Sequence, residues 1–313
     1  MRVVGQGRRT GGWAAVTAVC AVLLASGCAT SSPKPAATTG SHTVEVVAAE
    51  NFWGSLASQL GGDHVHVTSI INSPDADPHD YEPTATDGRQ IATADLAIVN
   101  GVGYDSWASK LLAANPRPAR TDLVVGDVVG IPANGNPHRW YSPGNVRTVI
   151  DTVTTDYKKL DPADSAFFDT QRTHVLTVNL KGYFDAIASI KARYAGTPVG
   201  ASESIFAPLA EGLGLRLITP GGFLNAISEG TDPTAQDKAT IDAQIKRHQI
   251  KIYVYNTQNA TPDVQAQVDA ARKAGIPVAT VTETLTPAGA TFQDWQTAQL
   301  IRLAAALAQA TGK

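Results

Sequence analysis

The chain has almost no thiol chemistry. It contains two cysteines, Cys20 and Cys28, both near the start. From residue 29 onward there is no thiol, so neither a disulfide nor a thiolate metal site can form there. A metal held in that region must be held by His, Asp or Glu. Basic runs are also missing. Lys and Arg number 25 against 28 Asp and Glu, for a net charge of −3, with no cluster that would serve as a nucleic-acid footprint. The uncharged apolar run at 13–24 is too short to span a bilayer and has the length of a signal-peptide core. Hydrophobic residues make up 43% and charged residues 17%, which places the chain among soluble globular proteins and against wholesale disorder.

Arg2, Arg8 and Arg9 precede the apolar run, which closes on Leu24-Ala25-Ser26-Gly27-Cys28. This stretch resembles a bacterial lipobox, in which small residues lead to a cysteine that is lipidated and becomes the first residue. Ala25 stands where that pattern prefers leucine, and Leu24 lies one step earlier. The expectation is a cleaved leader at 1–27, lipid on Cys28 and a Ser/Thr/Pro/Ala-rich tether to residue 42.

Beyond the tether, apolar strand patterns alternate with helical ones. Strands are predicted at 44–49, 65–71, 96–99 and 123–125, with helices at 52–60, 86–94 and 107–114 between them. This alternation predicts a parallel α/β sheet. The pattern then turns helical. One helix is predicted over 145–160. A second runs from Asp161-Pro162 to Tyr194, with Phe167, Val175, Val178, Tyr183, Ile187, Ile190 and Tyr194 as its apolar face. About 30 residues at about 1.5 Å each give a rod of roughly 45–50 Å, long enough to be a strut between two halves. Alternation resumes with strands at 198–201, 215–219, 250–255 and 277–281 and helices at 205–213, 233–247, 262–274 and 291–311. The implied organisation is an N-terminal α/β lobe at 43–160, a linking helix at 161–195 and a C-terminal α/β lobe at 196–313.

Of seven histidines, five read as surface or capping residues: His42 in the tether, His64 and His66 at a strand start, His174 and His248 in polar helical surroundings. His79 and His138 differ. Each follows a proline, in Asp77-Pro78-His79-Asp80-Tyr81-Glu82-Pro83 and in Asn136-Pro137-His138-Arg139-Trp140-Tyr141-Ser142-Pro143. Proline holds its predecessor extended, and a stiff loop presents an imidazole in one direction. Both loops follow predicted strands, where sites in open α/β sheets gather. In the second half Glu203 and Glu283 each stand directly after a strand. Either one alone could be no more than a charge at a helix start.

These stretches, together with Glu229-Gly230-Thr231-Asp232-Pro233 and the tail from Glu283, resemble the metal-binding solute-binding lipoproteins of zinc and manganese ABC importers. The likeness covers nearly everything from Thr43 onward. It implies two α/β lobes with parallel sheets joined by one long α-helix, and a metal between the lobes with two ligands from each. Carried over position by position, the ligands are His79, His138, Glu203 and Glu283. The last is usually aspartate in the family, so Glu229 and Asp232 stand as reserves for it. Asp80, Tyr81, Trp140, Glu229 and Asp232 are candidates for orienting the ligands from behind, and Asp77 and Glu82 for capping the turn.

Two neutral imidazoles and two carboxylates make a site of charge −2, which a divalent cation neutralises. Such a set suits Zn²⁺ and Mn²⁺ alike; iron ranks third. No histidine-rich loop occurs at 123–137. The resemblance further implies a non-enzymatic, monomeric protein outside the cytoplasm, anchored to the bacterial membrane through Cys28 and handing its metal to an ABC permease, with no nucleic-acid partner. Two other readings stand beside it. A metal-dependent hydrolase would need an open coordination position and a spare base. A corrinoid- or siderophore-binding relative would want an aromatic, basic pocket.

Overall fold

The computed structural model describes residues 43–74, 76 and 81–313. The leader, Cys28 and the tether lie outside the described residues. No described helix is long and apolar enough to cross a membrane.

The first half runs β1 (Val44–Glu50), α1 (Asn51–Gly61), β2 (Val65–Ile71), α2 (Ala85–Thr93), β3 (Leu96–Val99), α3 (Ser106–Ala114), β4 (Thr121–Val124), a single turn α4 (Val125–Val128) and α5 (Pro143–Leu160). The second half runs β5 (Pro198–Ala201), α8 (Ala207–Leu213), β6 (Arg216–Leu217), α9 (Gly221–Ser228), α10 (Ala235–Lys246), β7 (Ile252–Asn256), α11 (Pro262–Lys273), β8 (Val278–Val281) and α12 (Phe292–Thr311). Between them lie α6 (Ser165–His174) and α7 (Lys181–Tyr194). Each half builds a four-stranded, wholly parallel sheet, in the orders β2-β1-β3-β4 and β6-β5-β7-β8. The second order is the first repeated. No short sequence period announces this repeat, because it lives in topology.

Period-two alternation sorts each strand between two layers. Val44, Val46 and Ala48 of β1 and Leu96 and Ile98 of β3 face a central core, while Val47, Ala49, Ala97 and Val99 face an outer one. In the second sheet Ile252, Val254, Ala279 and Val281 join the same central core, and Tyr253 and Tyr255 face the other way. One apolar body thus runs under both sheets and includes Tyr183, Ile187 and Tyr194 of the linker. The halves also approach closely where Gly212 of α8 meets Pro143 of α5; a Cβ on Gly212 would lie 2.8 Å from the proline ring.

The strut is helical to Tyr194 but is not a uniform α-helix. A single 3₁₀ turn (Pro162–Asp164) precedes α6, and a π segment (Val175–Asn179) leads to Leu180, which leaves helical geometry before α7. The physical reason is phase. Val175 and Leu180 are both fully buried, five residues apart, and five is out of step with 3.6 residues per turn. One wider turn, closed by Leu180 N donating to Val175 O at 2.8 Å, absorbs the extra residue and returns Leu180, Tyr183 and Ile187 to the core. Val178, expected on the apolar face, is 57% exposed. The break at Leu180 falls two residues before Gly182.

Two elements of the second half also depart from expectation. β6 keeps only Arg216–Leu217 of the strand expected at 215–219. The helix α9 was not expected, since Gly221 and Gly222 are poor helix formers; burial of Phe223, Leu224 and Ile227 stabilises it instead.

Candidate metal centre

In both sheets the site lies beyond the carboxyl ends of the strands, at the point where the strand order reverses. β5 delivers Ser202 and Glu203, β7 ends on Asn256, and the loop after β8 carries Glu283. From the first half, the loop after α4 brings His138 into a 3₁₀ turn (Arg139–Tyr141) that leads into α5. Ser142 caps α5 and Pro143 occupies its first turn, which fixes where the His138 loop ends.

His138, Glu203 and Glu283 come together. One ligand atom from each lies within 4.8 Å of the others, and all three residues are buried. His79, Asp77 and Asp80 lie outside the described residues. Glu229 and Asp232, the reserves for Glu283, are exposed and do not join the cluster.

Amide and phenol groups hold the two carboxylates. Asn256 Nδ2 donates to Glu203 Oε1 at 2.8 Å and to Glu283 Oε1 at 3.0 Å. Asn259 Nδ2 donates to Glu203 Oε2 at 2.7 Å, and the Tyr104 hydroxyl to Glu283 Oε2 at 3.0 Å. Asn256 cannot turn its amide over, because its Oδ1 accepts from Gln258 N at 3.1 Å. These donors are neutral, so they fix the carboxylates without cancelling the charge that would draw a cation.

His138 is wholly buried, and Trp140 meets its ring edge-on at a centroid distance of 5.3 Å. Trp140 in turn stacks on Phe52 at 4.0 Å. Of the residues expected behind the ligands, Trp140 therefore contacts one. Tyr81 donates its hydroxyl to Asp87 at 3.0 Å and packs its ring on Trp107, which closes the start of α2. Glu82 is exposed.

A second acidic arrangement supports the first half of the site. Asp105 accepts from Asn100 N at 2.6 Å and Gly101 N at 2.7 Å, closing the turn that positions Tyr104. Val102 in that turn has φ +56°, a conformation a β-branched residue rarely adopts. Asn100 Nδ2 donates to Pro137 O at 2.9 Å, next to His138. Glu50 lies fully buried beside Asp105. Burial first, then the Asp105 charge, raises its pKa well above the ordinary value, and burial also raises that of Asp105. Burial and the neighbouring Asp105 charge both favour the neutral form of Glu50. Glu50 and Asn100 occupy the same register positions in the first sheet as Glu203 and Asn256 in the second. Tyr141, whose pKa burial raises, reaches across the halves to Thr282 O at 2.8 Å, beside Glu283.

Sequence reasoning passed over Asn256, Asn259 and Tyr104. The available signal was a polar residue closing an apolar strand, as Asn256 closes Ile252–Asn256. A further cluster, His64 with Asp161 and Asp164, is half-buried at the start of the strut. There His64 Nδ1 pairs with Asp164 at 2.8 Å and the ring packs on Phe167 at 4.1 Å. The expected surface role of His64 becomes an anchoring one.

The family model described as zinc-uptake complex component A, periplasmic, matches residues 46–306. The chain belongs to this family. Within it, a putative metal-binding protein of Treponema pallidum is 27% identical over 197 residues, covering 55% of this chain and 61% of that one. The zinc-binding lipoprotein AdcA of Streptococcus pneumoniae is 24% identical over 267 residues, covering 76% of this chain and 50% of its own length. The chain thus spans about half to three-fifths of the length of these curated relatives. Among solved folds, an Mn-bound periplasmic metal-binding protein of Candidatus Liberibacter asiaticus superposes with a TM-score of 0.72 at 18% identity, covering 84% of this chain and 98% of that one. The periplasmic zinc-binding protein TroA of Treponema pallidum gives 0.67 at 18% identity over the same shares. The two-lobed parallel α/β architecture is therefore that of periplasmic metal-binding proteins.

Proposed function

We propose that this member of the zinc-uptake family captures a divalent transition-metal ion, Zn²⁺ or Mn²⁺, outside the cytoplasm and passes it to an ABC permease. The observation that carries the reading is the buried convergence of His138, Glu203 and Glu283, each from a loop after a strand or helix turn and each from a different part of the chain. Two buried carboxylates beside an imidazole are unfavourable in an apolar setting unless a cation joins them. His79 is the fourth ligand in this proposal, on the strength of its Pro-His loop and the family resemblance. The donor set of nitrogen and oxygen, without sulfur, suits zinc and manganese. A lipid on Cys28 would keep the monomeric protein beside its permease. The carboxylates are held by Asn256, Asn259 and Tyr104 rather than poised as spare bases, which supports a holding site over a hydrolytic one.

Elemental analysis of protein purified without chelator tests this. Wild type is expected to carry stoichiometric Zn or Mn, and His79→Ala and Glu283→Ala to lose it. Full metal retention in His79→Ala would remove His79 from the site.

A further inference from the structure

We infer that Asn136 is a positioning residue of this centre: it fixes the tautomer of His138 and ties the His138 loop to the opposite lobe. The inference rests on the metal-site reading above for its consequence, and on geometry alone for its first half. One side-chain amide makes three bonds. Asn136 Oδ1 accepts from His138 N at 2.9 Å and faces His138 Nδ1 at 3.0 Å, while Nδ2 donates to Ser204 O at 2.7 Å. Turning the amide over would set its NH₂ against a backbone N–H and its oxygen against a carbonyl oxygen. Its orientation is therefore determined, although oxygen and nitrogen look alike.

Two consequences follow. An oxygen at Nδ1 that can only accept requires the proton on Nδ1, so the lone pair of the neutral ring sits on Nε2. A cation binds the atom with the lone pair, so the ring is set for Nε2 ligation before metal arrives. The Ser204 hydroxyl, 3.3 Å from Nδ1 and 2.8 Å from the Ser228 hydroxyl, can supply a second acceptor. Second, Ser204 directly follows Glu203, so the Asn136 amide sets the distance between two ligands that belong to different lobes. Arg139 steadies the junction by donating to Asn136 O at 3.2 Å. Asn136, Ser204 and Ser228 also line a cleft cavity of about 380 Å³, with Glu229 at its exposed side. Asn136 thus reaches both that cavity and the buried ring of His138.

The test combines long-range ¹H–¹⁵N spectra of His138 in the metal-free protein with zinc affinity and zinc release rates measured against a chromophoric chelator. Wild type is expected to show the Nδ1–H tautomer. Asn136→Ala is expected to give a tautomer mixture and to weaken zinc binding by roughly 10–100-fold. Asn136→Asp keeps an acceptor at Nδ1 but loses the donor to Ser204 O, so the tautomer should stay while zinc leaves faster. Rescue of the tautomer by aspartate is not expected from a merely structural role. An Nε2–H tautomer in wild type, or an unchanged tautomer in Asn136→Ala, overturns the first half. Zinc release from Asn136→Asp no faster than from wild type overturns the second, whether or not Asn136→Ala folds. If wild type takes up no zinc or manganese, the metal reading fails, and the metal-free spectra still decide the tautomer.

Discussion

Replacing Glu283 by glutamine should make the empty protein more stable while abolishing its response to metal. The ligand atoms of Glu203 and Glu283 lie within 4.8 Å. At the outer limit of that range two carboxylate charges repel by about 3.5 kcal/mol at an effective dielectric of about 20. The amide removes this repulsion and weakens, among the described bonds, those from Asn256 Nδ2 and from the Tyr104 hydroxyl, both at 3.0 Å. Each changes from charged to neutral at a cost of about 1 kcal/mol. The glutamine oxygen can face Asn256, and Tyr104 can rotate to accept from the new NH₂. The balance is a gain of about 1–1.5 kcal/mol, or roughly 2–5 °C in Tm for a domain of this size. Wild type with zinc at about 100 times Kd should gain about 2.7 kcal/mol, and the variant should gain almost none. Calorimetric melts with and without zinc measure both effects. A metal-free variant that melts below wild type would refute the repulsion argument, and a full zinc shift in the variant would remove Glu283 from the ligand set.

Two other perturbations test the surroundings. The pKa of Glu50 is raised in the fold, so its contribution to stability is complete below the ordinary glutamate range and is lost as pH climbs through the folded value. Glu50→Gln should therefore gain on wild type between pH 5 and pH 8 in urea denaturation, and wild type gaining on the variant over that range would contradict the assignment. Tyr141→Phe removes a hydroxyl 2.8 Å from Thr282 O, which should cost about 1 kcal/mol and lower Tm by roughly 2–4 °C. Differential scanning calorimetry checks it, and an unchanged melt would show that the bond across the halves contributes nothing.

The alternation of strands and helices was legible because parallel strands buried on both faces read as apolar runs, as in Leu96–Val99 and Ile252–Asn256. The convergence of His138, Glu203 and Glu283 was anticipated by their places after a proline or a strand only together with the family resemblance, since each alone read equally well as a turn or a helix-start charge. What stayed hidden depended on tertiary context. Asn136 stood in the quoted motif without a role, since its three bonds exist only when the opposite lobe brings Ser204 to it. Val178 looked like a core residue because a fixed 3.6 period was assumed, whereas burial of Leu180 imposes a wider turn. The helix α9 was hidden by its two leading glycines. The register equivalence of Glu50 with Glu203 is invisible without the strand pairing.

For the proposed metal capture, the apolar body shared by both sheets has a consequence for how an ion would enter and leave. Two lobes with separate interiors could swing apart like a clamshell and wet only polar walls. Here Val46, Ile98, Tyr183, Val254, Val281 and Leu300 belong to one continuous interior. Each 100 Å² of it exposed by a wide swing would cost about 2.5 kcal/mol, and a few hundred would rival the stability of a whole domain. On the proposed function, exchange would therefore fall to the polar rim of the site and not to a wide swing of the two sheets.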